Sequence, residues 1–152
     1  MKSKTLFTLA VAFFTFSAFA QDVKESEVPA PVKAAFAKLY PNVKDVDWEK
    51  EGANYDAEFE VNKTESSVVF AATGNLLETE IEINVSALPK SASDYLAKKY
   101  PKNKIAEASK ITDAAGTVTY EAEVGDYELI FDSNGLFIKE IKEDKEKDKD
   151  KE

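Results

Sequence analysis

The spacing of apolar positions along the chain switches twice from a helical period to a strand period. Helical spacing appears in Val32, Ala35, Phe36 and Leu39, and again in Ala92, Tyr95, Leu96 and Lys99. A Tyr-Pro pair follows each stretch, at Tyr40-Pro41 and Tyr100-Pro101. Proline disfavours the α conformation in the residue before it and offers no amide proton, so each pair predicts a helix end.

Apolar and polar residues then alternate after each predicted helix, which is typical of strands with one dry and one wet side. The predicted strands fall at 45–49, 55–61, 68–72 and 77–85 in the first half, and at 104–112, 117–124, 127–132 and 136–141 in the second. Short turns containing glycine separate many of them, which favours antiparallel pairing of neighbours. Trp48 falls on the dry side of its strand and is predicted to lie in the core.

The two halves match each other in order, which indicates an internal duplication. Tyr55-Asp-Ala-Glu-Phe59 resembles Tyr120-Glu-Ala-Glu-Val124, and Val68 to Gly74 resembles Leu129 to Gly135. The pattern predicts an α+β fold of two tandem α-β-β-β-β repeats, at 28–87 and 88–142. Because unpaired strand edges are a liability, we expect one eight-stranded antiparallel sheet with both helices on one face.

The two ends of the chain differ in character from the repeats. Residues 1–20 combine Lys2 and Lys4, an apolar run and Ala18-Phe19-Ala20, which predicts a signal peptide cut after Ala20. A periplasmic or secreted protein without a membrane span follows from this. Residues 21–27 are expected to be a flexible N-terminus, and 143–152 a charged disordered tail.

Composition limits the possible chemistry. Twenty basic and 29 acidic residues give a formal charge of −9, which argues against nucleic acid and anionic membranes as partners. Every basic residue is lysine, and histidine and cysteine are absent. The usual general base, thiol nucleophile and zinc ligands are therefore missing, and neither an enzyme nor a cofactor is predicted.

These motifs resemble a known family. Tyr40-Pro41, Trp48 and Tyr55-Asp-Ala-Glu-Phe59 in the first half, with Tyr100-Pro101 and Tyr120-Glu-Ala-Glu in the second, resemble the PepSY-like proteins of bacterial periplasms. Ala108 stands where Trp48 would be in the second half. The resemblance implies a fold like that of the β-lactamase inhibitor protein, with an open concave sheet face. It does not carry β-lactamase inhibition over to this chain.

Acidic residues spaced two apart supply the candidate binding residues: Asp45, Asp47, Glu58, Glu60, Glu78, Glu80, Glu121 and Glu123. One interpretation is a solvated sheet face without a ligand. The leading hypothesis is a docking face for a basic protein or peptide of the cell envelope. Tyr127 or Ile105 would be anchoring contacts if they lie on the open side of the sheet. Small-ligand or cation binding is the alternative, and a structural envelope protein is a third. Asp132-Ser-Asn-Gly135 is interpreted as a hairpin turn rather than a calcium loop.

Overall fold

The computed structural model describes residues 21–142, and the predicted signal peptide and charged tail lie outside this range. Within it the chain forms one antiparallel sheet in which each strand pairs with the next, in the order β1 to β9. The strands are β1 Gln21–Val23, β2 Asp47–Glu51, β3 Asn54–Val61, β4 Thr64–Ala71, β5 Leu76–Glu82, β6 Glu107–Asp113, β7 Val118–Val124, β8 Tyr127–Asp132 and β9 Phe137–Lys142. The helices are α1 Ala30–Leu39 and α2 Lys90–Lys99. The predicted α+β class with tandem α-β4 repeats is confirmed.

The N-terminal segment corrects the prediction in one respect. Instead of a flexible stretch over 21–27, Gln21–Val23 forms β1, which pairs with β2, and Glu25–Glu27 forms a short 3₁₀ helix. The sheet therefore has nine strands among the described residues rather than eight. The second repeat has the same feature, since β5 is followed by the 3₁₀ helix Val85–Ala87 before α2. The duplicated unit thus begins near Gln21.

Both helices begin and end in the same way. Pro29 and Pro89 occupy the N-cap positions with extended ψ angles of 141°. The Tyr40 amide donates to the Phe36 carbonyl at 2.8 Å, and Tyr100 donates to Leu96 at the same distance. The following proline has no amide proton to continue this ladder, so each helix stops after ten residues.

A glycine turn supports the start of each helix. Gly74, between β4 and β5, has φ +86°, and a Cβ there would lie 2.6 Å from the Pro31 carbonyl oxygen in α1. Gly135, between β8 and β9, has φ +78° and lies against Pro89 and Ser91 of α2. Each hairpin turn therefore approaches its helix so closely that only glycine fits.

The helices pack on the same side of the sheet, here called the helix face. Val32 and Phe36 of α1 bury against Trp48, Ala57, Phe59, Val68 and Phe70. Ala92 and Leu96 of α2 bury against Ala108, Ala122, Val124, Leu129 and Phe131. The Phe36 and Trp48 rings meet edge to face, with centroids 5.5 Å apart, and Trp48 is only 6% exposed. The core position predicted for Trp48 is confirmed.

The two halves fill their cores with side chains of different size. Where the first repeat has Phe36, Trp48 and Phe59, the second has Leu96, Ala108 and Val124. In the second half a cleft of about 490 Å³ lies beside α2, lined by residues that include Leu96, Tyr100, Ile105 and Val124. The smaller side chains of the second repeat account for the space.

Candidate binding face

The side of the sheet opposite the helices is here called the acidic face. Cross-strand pairing places its side chains in rows, because directly opposed residues point to the same side. One row runs Asp47, Glu58, Ser67, Glu80 and Ile111 across β2 to β6. A second runs Glu82, Ser109, Glu121, Ile130 and Lys139 across β5 to β9. Acidic residues from both repeats thus share one continuous surface.

Many side chains on this face are buried although no described helix or strand lies over them. Asp56 is 1% exposed, Glu80 2% and Glu121 4%. Apolar neighbours on the same side, Val69 and Ile130, are equally inaccessible. The pairing shifts register at Val69/Phe70 and Ile130/Phe131, and bulges of this kind bend the strand that carries them.

The expectation of a solvated face is therefore wrong for its central residues. On β5 the side chains of Glu78 and Glu80 are buried, whereas Ile81 on the opposite side is 43% exposed. The alternation of apolar and acidic side chains along β5 was predicted correctly, but the acidic side chains Glu78 and Glu80 are more buried than Ile81. The centre of the acidic face is therefore partly dry rather than fully solvated.

Burial raises the pKa of the carboxyl groups at the first-repeat end of this face. For Asp56 it raises the pKa to about 8, with the charges of Glu58 and Glu51 adding to the effect. For Glu58 it raises the pKa to about 7, and Glu49 and Asp47 contribute in the same direction. Both shifts have the same origin, because a desolvated carboxylate among like charges is unfavourable.

The middle of the face shows the same behaviour. Burial raises the pKa of Glu78 to about 7, helped by Asp113 and opposed by Lys139. Burial also raises the pKa of Glu80 to about 7, although the nearby Ser109 hydroxyl works against it. Crowded, half-dry carboxyl groups therefore extend across the boundary between the two repeats.

Several of these groups lack a hydrogen-bond partner within the described part of the chain. Neither carboxyl oxygen of Asp56 has one, and one buried oxygen each of Glu58, Glu78 and Glu121 is likewise unpartnered. Buried polar atoms in proteins are normally satisfied, and each exception needs an explanation. A cationic ligand, a bound partner or a proton would each supply one.

A cleft of about 470 Å³ opens at one end of the acidic face. Its lining includes four predicted site residues, Asp45, Asp47, Glu58 and Glu60. Asp45 lies in the loop before β2 rather than in a strand, and it is exposed together with Asp47 and Glu60. Glu65 also lines the cleft, and Lys44 is the lysine at its border. The structure thus brings half of the predicted residues into one concavity.

The other predicted residues lie elsewhere on the same face. Glu78 and Glu80 occupy the middle, and Glu121 and Glu123 lie on β7 in the second repeat. Glu121 and Glu123 come together with Glu128 of β8, and one carboxyl oxygen of each lies within 4.8 Å of the others. Burial raises the pKa of Glu121, and the charges of Glu80 and Glu128 add to this.

One expectation about this face is corrected and another is confirmed. Tyr127 and Ile105 pack against the core cluster under α2, on the helix face, so they cannot anchor a partner on the acidic face. Asp132-Ser-Asn-Gly135 is a hairpin turn, as interpreted. One Asp132 carboxyl oxygen accepts from the amides of Asn134 and Leu136 at 2.8 Å, and is occupied by the turn itself.

Sequence reasoning missed two buried acids of this face, Asp56 and Glu128. Asp56 alternates with Tyr55 and Ala57 and so belongs to the set of polar positions facing away from the helices. Glu128 lies opposite Glu123 in the β7–β8 pair. A directly opposed pair of like charges is unfavourable in a sheet, and the predicted hairpin register could have revealed it.

With this geometry in place, comparison with known proteins identifies the class. The chain matches the family described as beta-lactamase-inhibitor-like, PepSY-like, over residues 16–77 and 53–139. These matches span most of the chain and both repeats, and the protein belongs to this family.

Solved structures give the same fold. A periplasmic protein described from Bacteroides eggerthii superposes with a TM-score of 0.69 at 17% identity, covering 76% of this chain and 88% of that one. A DUF2874 family protein from Bacteroides uniformis gives a TM-score of 0.67 at 21% identity, covering 75% and 88%. A BLIP-like protein from Bacteroides fragilis gives 0.61 at 25% identity, covering 75% and 86%.

A search of curated proteins found no match. Within residues 21–142, neither helix has the length and apolar character needed to cross a membrane. The family is inhibitor-like rather than one of known enzymes, and relatives of the same fold are described as periplasmic.

Proposed function

We propose that this protein is a non-catalytic periplasmic binding module that captures a basic protein or peptide on its acidic face. The observation that carries the proposal is the cleft formed by Asp45, Asp47, Glu58 and Glu60. Its volume of about 470 Å³ falls within the range of about 300–1,000 Å³ typical of ligand sites. Its carboxyl groups come from a loop and two paired strands, so the framework holds them in place.

The electrostatics of the cleft favour a positively charged ligand. Burial and the charges of Glu49 and Asp47 raise the pKa of Glu58 to about 7, and one buried oxygen of Glu58 has no partner. An inserted lysine or arginine would offset this repulsion and donate to the unpartnered oxygen. Hydrogen bonds between two ionised groups are shorter and stronger than neutral ones. The exposed Asp45, Asp47 and Glu60 would mainly accelerate association and be sensitive to salt.

Export to the periplasm is part of the proposal. The first described strand begins at Gln21, the residue after the predicted cleavage site, and Gln21 pairs with Lys50 of β2. Cleavage after Ala20 would therefore leave the whole β1 strand in the mature protein. Mass spectrometry of protein recovered from the periplasm should give a mature chain that starts at Gln21. Retention of residues 1–20 would contradict this part of the proposal.

Partner capture is tested with a lysine-rich probe peptide and the exported protein. Glu58→Gln combined with Glu60→Gln should weaken binding of the peptide by about tenfold, since a hydrogen bond to a charged group is worth about 1.5–3 kcal/mol. Fluorescence anisotropy of a labelled peptide measures the affinity.

A matched control distinguishes the cleft from net charge. Glu25→Gln combined with Asp94→Asn removes the same two charges from exposed positions outside the acidic face, in the first 3₁₀ helix and in α2. This pair should leave binding within about twofold of the wild type, because distant exposed charges are largely screened. Equal weakening by both pairs, or no weakening by the cleft pair, would exclude capture in the cleft.

A further inference from the structure

A second feature of the acidic face points to a different ligand, at the end that belongs to the second repeat. Glu121 and Glu123 lie two apart on β7, and Glu128 lies directly opposite Glu123 on β8. One carboxyl oxygen from each residue lies within 4.8 Å of the other two. We infer that Glu121, Glu123 and Glu128 form a binding site for a divalent cation, with calcium as the ion that fits.

Crowding alone would not establish a site, but Glu121 supplies independent support. Its side chain is 4% exposed, and its Oε2 atom is buried without a hydrogen-bond partner. Glu128, across the β7–β8 pair, is 2% exposed. An unpartnered buried carboxylate oxygen that belongs to a carboxylate triplet needs a positive charge more than a hydrogen-bond donor.

The donor set favours calcium over magnesium. Carboxylate oxygens suit hard divalent cations, and the three oxygens lie close enough together to share one ion. Calcium takes about six to eight oxygens in a flexible geometry, so water can complete its shell around three glutamates on two strands. Magnesium demands a near-ideal octahedron and gives up its own waters reluctantly, which suits three carboxylates held by a strand register less well.

The surroundings of the triplet are mainly acidic. Glu107 lies opposite Glu123 on β6, the charge of Glu80 raises the pKa of Glu121, and the charge of Glu123 raises the pKa of Glu80. Lys139 of β9 is the nearby basic residue on this side, in the same row as Glu121 and Ile130. The positive charge of Lys139 lowers the pKa of Glu78, against the rise caused by burial. Among residues 21–142, the carboxyl groups around the triplet outnumber the basic side chains, and a divalent ion would offset the excess negative charge.

The test measures calcium binding by the exported protein after removal of metals with a chelator. Isothermal titration with calcium chloride should give one saturable site. Glu121→Gln combined with Glu123→Gln should lower calcium affinity by about tenfold or more, because loss of even an outer-sphere partner costs about 10–100-fold in metal affinity. Magnesium chloride should bind more weakly than calcium to the wild type.

Thermal unfolding separates loss of the site from loss of the fold. Without calcium the Glu121→Gln/Glu123→Gln protein should melt at or above the wild-type temperature, since repulsion is relieved. Calcium should raise the melting temperature of the wild type and leave that of the variant unchanged. Glu58→Gln combined with Glu60→Gln removes two charges at the other end of the face and should keep calcium binding within about twofold.

The calcium result is independent of partner capture. Substitution of Glu58 and Glu60 should weaken peptide binding alone, and substitution of Glu121 and Glu123 should weaken calcium binding alone. Absence of a saturable calcium isotherm would overturn the site. Equal loss of calcium affinity in the Glu58→Gln/Glu60→Gln and Glu121→Gln/Glu123→Gln variants would also overturn it, because it would indicate diffuse attraction by the whole face. Magnesium affinity equal to that of calcium would contradict the assignment of the ion.

Discussion

Asp56 shows how a single residue makes this fold dependent on protonation. It lies in the middle of β3 with both carboxyl oxygens buried and unpartnered, and burial raises its pKa to about 8. In the unfolded chain its pKa is near 3.8, the ordinary value for an aspartate. Between these values the folded state holds a proton that the unfolded state has lost, so folding is favoured at low pH and weakened as the pH rises.

We expect the free energy of unfolding to fall as the pH increases from about 5 to about 8, and Asp56→Asn to reduce that fall. At about pH 8 the variant should be more stable than the wild type by about 2 kcal/mol, because the amide never carries the buried charge. Urea unfolding at several pH values measures this. The exposed Asp94→Asn should follow the wild-type profile. A wild-type stability that rises over this interval would contradict the interpretation.

At the scale of elements, β1 has a larger role than its three residues indicate. Val23 lies opposite Trp48 and packs against the first core cluster. Removing Gln21, Asp22 and Val23 should therefore uncover Trp48 and lower the free energy of unfolding by about 1–3 kcal/mol. Trp48 is the single tryptophan of the chain, so its fluorescence reports this contact directly.

Two signals check the β1 prediction. Emission of the truncated protein should shift to longer wavelength, and its urea midpoint should fall. Asp22→Asn serves as the control, since Asp22 pairs with Glu49 on the acidic face and should leave the Trp48 emission unchanged. Unchanged emission and midpoint in the truncated protein would show that β1 does not contribute to the core.

The elements also show what the sequence could predict and what it could not. The helices, their Tyr-Pro ends and the core position of Trp48 follow from local rules, and all are found. β1 was missed because Gln21-Asp-Val23 holds one apolar residue and has no recognisable period. Its counterpart is visible only through the duplication, where Ile81-Glu-Ile83 precedes the second 3₁₀ helix in the same way.

The sequence could not predict the burial of the candidate site, and the reason is different. Alternation correctly assigned Glu58, Glu80 and Glu121 to the side away from the helices, but it gives no information on how deeply that side is buried. Burial depends on how several strands pair with each other, including bulges such as Val69/Phe70. The meeting of Glu121, Glu123 and Glu128 depends likewise on the β7–β8 register.

Within residues 21–142 the molecule places much of its negative charge on one side of the sheet, and that arrangement affects stability. Increasing the salt concentration from about 0.01 M to about 1 M shortens the screening length from about 30 Å to about 3 Å. We expect sodium chloride to raise the melting temperature by about 4 °C at about pH 8, because repulsion across the acidic face is screened. Differential scanning calorimetry measures the shift.

The same experiment at about pH 5 provides the control. Asp56 and Glu58, with pKa values of about 8 and about 7, are then protonated. Less charge remains to be screened, so the effect of salt should be smaller than at about pH 8. An equal salt effect at both pH values would show that the buried carboxyl groups do not carry the repulsion.

The agreement between strand order and chain order has a kinetic consequence. Every pair in the sheet joins chain neighbours, from β1–β2 through β8–β9. Contact order is therefore low for a β-rich protein, and little loop entropy is lost before each hairpin closes. Either half can nucleate first and the other can add to its exposed edge. Refolding should accordingly be faster than in Greek-key sandwiches of similar length.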